Sequence, residues 1–180
     1  MHAQGGGWSG FASTNQQFSF GTDLTTVAGP SVVLESASAS YPTGLQVRWS
    51  IYRNRPGELG FGSLLGPLEP KWPTSPLRGY RLSQPESHPE RGATWLVASM
   101  TASRPGVYHV SNIKISYRSG LRLRYTTANA DICELVAQPK EEQRLWRQAE
   151  AFEAHHTDLP SLDPLVALYE QTCNAAFVSP

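Results

Sequence analysis

The chain has 180 residues, of which 39% are hydrophobic and 17% are charged, and its acidic and basic residues balance to a formal charge of zero. This length fits one domain with a sizeable core, and the neutral balance argues against bulk electrostatic capture of nucleic acid. No apolar run approaches the roughly 18 residues that a transmembrane helix needs, so none is predicted.

The charge is distributed unevenly along the chain. Residues 48–125 carry a net charge of +8, and residues 126–180 carry a net charge of −6. Two explanations stay open. Either the acidic C-terminal segment lies near the basic sheet and offsets it, or the basic face of the sheet meets an anionic partner.

Residues 1–22 are rich in Gly, Ser, Gln and Asn and carry no charged side chain. This composition predicts a flexible N-terminal arm or linker. The aromatic residues that we expect to hold the arm on the body are Trp8, Phe11, Phe18 and Phe20. No signal peptide is readable at Met1, and we expect that a membrane tether or export segment lay upstream of it.

Residues 23–137 show the pattern of a β-sandwich, in which short apolar segments alternate with turns rich in Gly and Pro. Residues 66–92 interrupt this pattern with six prolines, which indicates a long loop. The predicted strands cover residues 31–41, 45–52, 57–65, 77–82, 94–101, the two halves of 105–125, and 131–136. About seven strands with a core that contains Trp49 and Trp95 favour an immunoglobulin-like sandwich, and a jelly roll is the main alternative.

Residues 105–125 give the clearest signal, because apolar and basic side chains alternate on both sides of Ser119-Gly120. The pattern predicts a long hairpin with one buried apolar face and one basic outer face. The apolar set is Val107, Ile113, Ile115, Tyr117, Leu121, Leu123 and Tyr125, and the basic set is Lys114, Arg118, Arg122 and Arg124.

Residues 138–180 have helical periodicity and are predicted to form a helical hairpin packed on the sandwich. Pro139 opens the first helix, and acidic residues follow it in the first turn. Asp163 is the predicted N-cap of the second helix, with Pro164 at its first position.

The chain has two cysteines, Cys133 at the end of the last strand and Cys173 on the last helix. A disulfide between them would tie the helices to the sandwich and would place the protein outside the cytoplasm. Two unrelated buried thiols are the alternative. Neither the cysteines nor His155 and His156 make a metal site, so no metal or cofactor is predicted.

Candidate binding residues lie in the proline-rich loop and among the basic side chains. Exposed aromatic rings beside cations are typical of ligand-binding surfaces. The candidates are Trp72, Tyr80, Arg48, Lys114, Arg118, Arg122 and Arg124. A less favoured hypothesis is a hydrolase that uses two of the loop carboxylates, which are Glu58, Glu69, Glu86 and Glu90.

The hairpin and the strand after it, with Tyr108, Tyr117, Gly120 and Cys133, resemble the closing strands of sandwich domains in uncharacterised exported or membrane-anchored proteins of high-GC Gram-positive bacteria. The resemblance implies an extracytoplasmic accessory domain with no known activity. The lack of a catalytic motif, the uneven charge and the linker-like N-terminus favour a non-enzymatic domain for protein interaction or assembly. A module that binds carbohydrate or another cell-envelope polymer is the alternative.

Overall fold

The computed structural model of the chain describes residues 1–4, 8–25, 31–54, 63–65, 72–82, 92–128, 130–155 and 162–174. These residues form twelve strands and two short helices, the second of which continues into one π-helical turn, Glu170–Asn174. The elements are β1 (His2–Gln4), β2 (Trp8–Ser13), β3 (Gln17–Thr25), β4 (Val32–Ser40), β5 (Leu45–Arg53), β6 (Ser63–Leu65), β7 (Thr74–Pro76), β8 (Arg81–Leu82), β9 (Thr94–Ala102), β10 (Gly106–Ser119), β11 (Arg122–Ala128), β12 (Ile132–Ala137), α1 (Glu142–His155) and α2 (Pro164–Tyr169).

The strands pair into two six-stranded sheets that form a sandwich. The first sheet has the order β1-β3-β9-β5-β7, with β6 also paired to β3, and the second has the order β2-β12-β10-β4-β8, with β11 also paired to β10. Strand β2 runs parallel to β12, and the other pairs in the described residues are antiparallel. The predicted β-sandwich followed by helices is confirmed, with more strands than the seven predicted.

The core between the sheets is built from alternate residues of the long strands. Side chains in it with almost no solvent exposure include Leu34, Ile51, Leu96, Met100, Ile113 and Ile115. Trp49 packs against this core from β5, as predicted, whereas Trp95 lies on the opposite face of the first sheet with Tyr52 and Val97. Alternation along β5 and β9 therefore buries apolar side chains on both faces of the first sheet.

The N-terminal residues are part of the sandwich, so the prediction of a flexible arm over residues 1–22 is wrong for the described part. Strand β2 pairs with β12 along its whole length, and β3 pairs with β9 over eight residue pairs. Phe18 and Phe20 are buried in the core between the sheets. Their alternation with Gln17 and Ser19 is a strand pattern, which the Gly- and Ser-rich composition around it obscured.

A β-bulge divides β10. Ser111 pairs with Ser40, but the next pair is Lys114 with Ser38, so β10 holds one extra residue, and Asn112 takes a φ of 53°. The extra residue changes which positions face inward. Before the bulge Tyr108 enters the core between the sheets, whereas Val107 faces the helices. The prediction that Val107 shares a face with Ile113 is therefore wrong.

The far half of the hairpin also differs from its prediction. Strands β10 and β11 pair through a two-residue loop, with Arg118 opposite Leu123 and Ser116 opposite Tyr125. Leu123 and Tyr125 consequently share the face of Arg118, and both are exposed, as is Leu121 in the loop, at 99%. Leu123 and Tyr125 of β11 thus lie outside the core, whereas Ala128 at the end of the strand is buried in it.

Residues 77–80 form a turn where a strand was predicted. Gly79 has a φ of +83° and donates its N–H to the carbonyl of Leu34 at 2.8 Å, while the Leu34 N–H bonds to the carbonyl of Tyr80 at 2.9 Å. This turn connects β7 of the first sheet to β8 of the second.

The helices pack on the outer face of β2 and β12, whereas the sequence predicted only that they pack on the sandwich. A second apolar cluster joins them to the sheet, and it consists of Phe11, Cys133, Leu135, Ala137, Leu145, Ala149, Val166, Tyr169 and Cys173. Asp163 caps α2 by accepting a hydrogen bond from the N–H of Leu165 at 3.0 Å, and it also pairs with Arg144 at 2.9 Å. The predicted cap is therefore confirmed.

Candidate ligand-binding cleft

A cleft of about 630 Å³ opens where β2 of one sheet, β3 of the other and the start of α1 come together. Its walls are mainly aromatic, and its polar groups are two carboxyls, one amide and two hydroxyls. The lining residues are Trp8, Ser9, Gly10, Phe11, Phe18, Ser19, Phe20, Ile132, Glu134, Pro139, Glu142, Gln143 and Trp146. A concave apolar site with a few converging polar groups is the usual form of a small binding site.

One side of the cleft is the edge of β2. The N–H groups of Trp8 and Thr14 point toward β12 and bond to the carbonyls of Asp131, just before that strand, and of Ala137 at 2.9 Å and 2.8 Å. Because main-chain groups alternate along a strand, the N–H and C=O groups of Ser9 and Phe11 point the other way. Within the described residues, β2 pairs only with β12, so this edge of the second sheet faces the cleft.

Three ring contacts fix the aromatic walls. Trp8 meets Phe20 edge to face at 5.7 Å between ring centroids, which connects the two sheets. Phe11 meets Trp146 at 4.8 Å and Tyr169 at 5.0 Å, which connects β2 to the helices. Trp8 and Trp146 both line the cleft and remain 37% and 43% exposed.

Glu134 lies in this cleft although only 7% of its surface is exposed. It stands opposite Gly10 in the pairing of β12 with β2. Burial, and then the negative charge of Glu142, raise the pKa of the Glu134 carboxyl to about 8. At neutral pH the group is therefore mainly protonated and uncharged.

Glu142 supplies the second carboxyl at the start of α1, where a negative charge favours the helix. The Ser13 hydroxyl donates a hydrogen bond to it, which ties α1 to β2. The lining residues include no Lys, Arg or His, so the polar part of the cleft is acidic.

The disulfide between Cys133 and Cys173 is present, with its Cα atoms 5.5 Å apart. It lies in the apolar cluster behind the cleft, next in sequence to Glu134. The bond therefore holds the helical side of the cleft against β12. The prediction of this disulfide is confirmed.

The aromatic residues predicted to bind ligands do not line the cleft. Trp72 is half-buried, and its ring contacts Tyr52 at 5.1 Å between centroids on the outer face of the first sheet. Tyr80 is partly buried against the core between the sheets. Both therefore have packing roles, and whether either also binds a ligand stays a prediction.

The five basic candidates do not form one surface. Lys114 and Arg118 lie on the outer face of the second sheet, where Lys114 sits 4.3 Å from the ring centre of Tyr125 and Arg118 pairs with Glu35 at 2.6 Å. Arg124 lies opposite Tyr117, so it shares the other face of that sheet with Arg122.

Arg48 is exposed on β5 in the first sheet, on the face away from the core. The single basic face that was predicted is therefore wrong. The helices contact β10 around Val107, before the bulge, so they do not cover Lys114 or Arg118.

Other predictions fall partly outside the described residues. The loop carboxylates of the hydrolase hypothesis, Glu58, Glu69, Glu86 and Glu90, all lie there, as does His156. Within the described ranges, no three His, Cys, Asp or Glu side chains could hold a metal ion together. No helix in those ranges is long and apolar enough to cross a membrane.

Sequence reasoning missed Glu134 and Glu142. A signal for Glu134 was present, because it lies between Ile132 and Val136 at the same parity and therefore on the inward face of β12. A carboxylate at an inward position of an apolar strand is unusual enough to mark a site.

No family model matches the chain, and no curated protein is significantly similar to it. Among solved structures, a family 123 glycoside hydrolase from Clostridium perfringens matches at 9% identity with a TM-score of 0.39, over 80% of this chain and 27% of the hydrolase. A non-cellulosomal cohesin from the archaeon Archaeoglobus fulgidus matches at 11% identity with a TM-score of 0.29, over 87% of this chain and 98% of the cohesin. These similarities do not identify a ligand for the cleft.

Proposed function

We propose that this domain is a non-enzymatic interaction module that binds an extended segment of a partner protein in the cleft, along the edge of β2. The main-chain groups of Ser9 and Phe11, which face the cleft between aromatic walls, carry the proposal. An edge strand of this kind pairs readily with another extended chain. Main-chain hydrogen bonds then supply affinity, and side-chain pockets supply specificity.

A pair of substitutions at Ser9 tests this proposal. Ser9→Pro removes the N–H that faces the cleft but leaves the bonds to β12, because those come from neighbouring residues. Ser9→Ala keeps the N–H and is the matched control. Linear peptides selected from a random phage-displayed library on the full chain would serve as probes.

We expect the selected peptides to bind Ser9→Ala like the wild type, and to bind Ser9→Pro at least about tenfold more weakly, because one main-chain hydrogen bond is lost. Equal binding to both variants would contradict strand addition along β2. Failure to select any peptide would count against the proposed function itself. Thermal unfolding of both variants checks that the sandwich is intact.

The disulfide supports a location outside the cytoplasm, because disulfides persist in oxidising compartments. The test is the intact mass of the protein isolated from its native host without reductant. A mass that rises by two hydrogens on reduction supports export, and two free thiols would contradict it.

A second candidate function is the binding of carbohydrate or another cell-envelope polymer. The partly exposed rings of Trp8 and Trp146 beside the carboxyl groups of Glu134 and Glu142 favour it, because sugars stack on rings and donate hydroxyls to carboxyls. Tryptophan fluorescence across a glycan panel tests it, with Trp146→Leu as a variant. Unchanged tryptophan fluorescence across the panel would argue against carbohydrate binding and in favour of binding to a peptide segment.

A further inference from the structure

Two carboxyl groups, those of Glu134 and Glu142, lie together at the floor of the cleft. Glu134 is more than nine-tenths buried and forms no hydrogen bond with another described residue. Glu142 lies close enough for its charge to act on Glu134. Ionising a buried carboxyl is costly, so a ligand group that pairs with Glu134 would be favoured here.

A cationic group would pair with the carboxyls of Glu134 and Glu142 better than a neutral group would. An ammonium or guanidinium group attracts both carboxyls in a site of low dielectric, where such pairs are stronger than in water. Aromatic rings such as those of Trp8 and Trp146 also attract cations at their faces. An anionic ligand would meet repulsion, because the lining offers no basic side chain.

We infer that the segment bound along β2 inserts a lysine or arginine side chain into the cleft, where its cationic group meets the carboxyls of Glu134 and Glu142. This inference rests on the proposed function, since it names the residue type that the bound segment must carry. The apolar stem of such a side chain fits the aromatic walls while its charged end reaches the floor.

Binding of this cation would remove the proton from Glu134. The cation stabilises the ionised carboxylate, so the Glu134 O–H bond breaks and its proton passes to the buffer. The only other charged group that faces Glu134 from the lining of β2, β3 and α1 is Glu142. Calorimetry in two buffers of different ionisation enthalpy would measure the released proton at neutral pH.

The test uses the selected peptides in matched pairs, with each lysine or arginine replaced in turn by norleucine, which keeps an apolar stem without the charge. We expect one position at which the replacement weakens binding at least about tenfold and stops proton release. In Glu134→Gln the same replacement should have a smaller effect. Glu150→Gln, an exposed site on the same helix as Glu142 but outside the cleft, is the control.

The outcomes separate this inference from the function on which it rests. One possible result is that Ser9→Pro weakens peptide binding, whereas no norleucine replacement in the peptide and no Glu134→Gln substitution does. This result would overturn the inference and leave the proposed function standing. If no peptide binds, n-butylammonium and n-butanol become the probes, read by the carboxyl ¹³C signal of Glu134. A lower Glu134 pKa with butylammonium than with butanol or NaCl supports the inference, and equal values overturn it.

Discussion

Glu134 and Gly10 face each other across the parallel pair β12–β2, and a β-carbon at position 10 would lie 2.9 Å from Glu134 Oε2. The glycine therefore leaves the space that the buried carboxyl occupies. Its role here is steric and does not depend on an unusual backbone angle.

Gly10→Ala should push the Glu134 carboxyl out of its buried position toward the open part of the cleft. Its pKa should then fall from about 8 toward its ordinary value, because burial is the main cause of the shift. A ¹³C titration of the Glu134 carboxyl measures this. Gly106→Ala is the control, since a β-carbon there would meet Tyr108 at an ordinary 3.6 Å. An unchanged Glu134 pKa would contradict the steric role of Gly10.

Glu134→Gln should make the protein more stable than the wild type at alkaline pH. The pKa of Glu134 is about 8 in the folded chain against an ordinary value of 4.5, so the folded state binds more protons. Wild-type stability therefore falls as pH rises from 4.5 to 8, by as much as about 5 kcal/mol. Urea unfolding of both proteins at pH 4 and pH 9 measures the difference, because these pH values lie about half a unit or more outside this window. A gap that does not widen at alkaline pH would show that the carboxyl is not buried.

Removal of the disulfide should weaken the whole domain. The bond closes a loop with a sequence separation of 40, for which the loop-entropy relation gives roughly 4 kcal/mol. Cys133→Ala/Cys173→Ala should therefore unfold at a lower urea concentration than the oxidised wild type. The reduced wild type is the control for the loss of side-chain volume, and it should lie between the two. An unchanged midpoint would mean that the helices are held by packing alone.

Asn112 should tolerate glycine but not valine. Its φ of 53° lies in the left-handed region, which a β-branched residue enters at a cost of about 1–2 kcal/mol. Urea unfolding of Asn112→Gly and Asn112→Val measures this difference. Ser38→Val, at an exposed position in the neighbouring strand β4, is the matched control and should change stability little. Equal stability of the two Asn112 variants would argue against the bulge.

The strands that sequence patterns predicted well are those with strict alternation and clear turns. β5, β9 and β12 each lie within about one residue of their predicted limits, and the Asp163 cap and the Cys133–Cys173 bond are also present. These features depend on local patterns or on two cysteines that had only each other as partners.

The exposed apolar residues of the hairpin could have been predicted. A two-residue loop pairs odd-numbered positions with even-numbered ones, as in Tyr117 with Arg124. Leu123 and Tyr125 must then lie on the face opposite to Ile115, whatever their hydrophobicity. The bulge at Asn112 was harder to foresee, because the sequence around it has no glycine or proline.

The cleft itself could not be predicted from local patterns. It needs β2, β3, β12 and α1 in contact, and these elements come from opposite ends of the described sandwich. The parallel pairing of β2 with β12 leaves no turn signal between the two strands, unlike a hairpin.

The same pairing determines when the binding site can form during synthesis. Strand β2 is synthesised more than a hundred residues before β12, its partner in the described residues, and before α1. Until then Phe11 lacks Trp146 and Tyr169, whose rings contact it in the finished fold. Until these partners have been made, the aromatic strand β2 exposes apolar surface that is prone to aggregate.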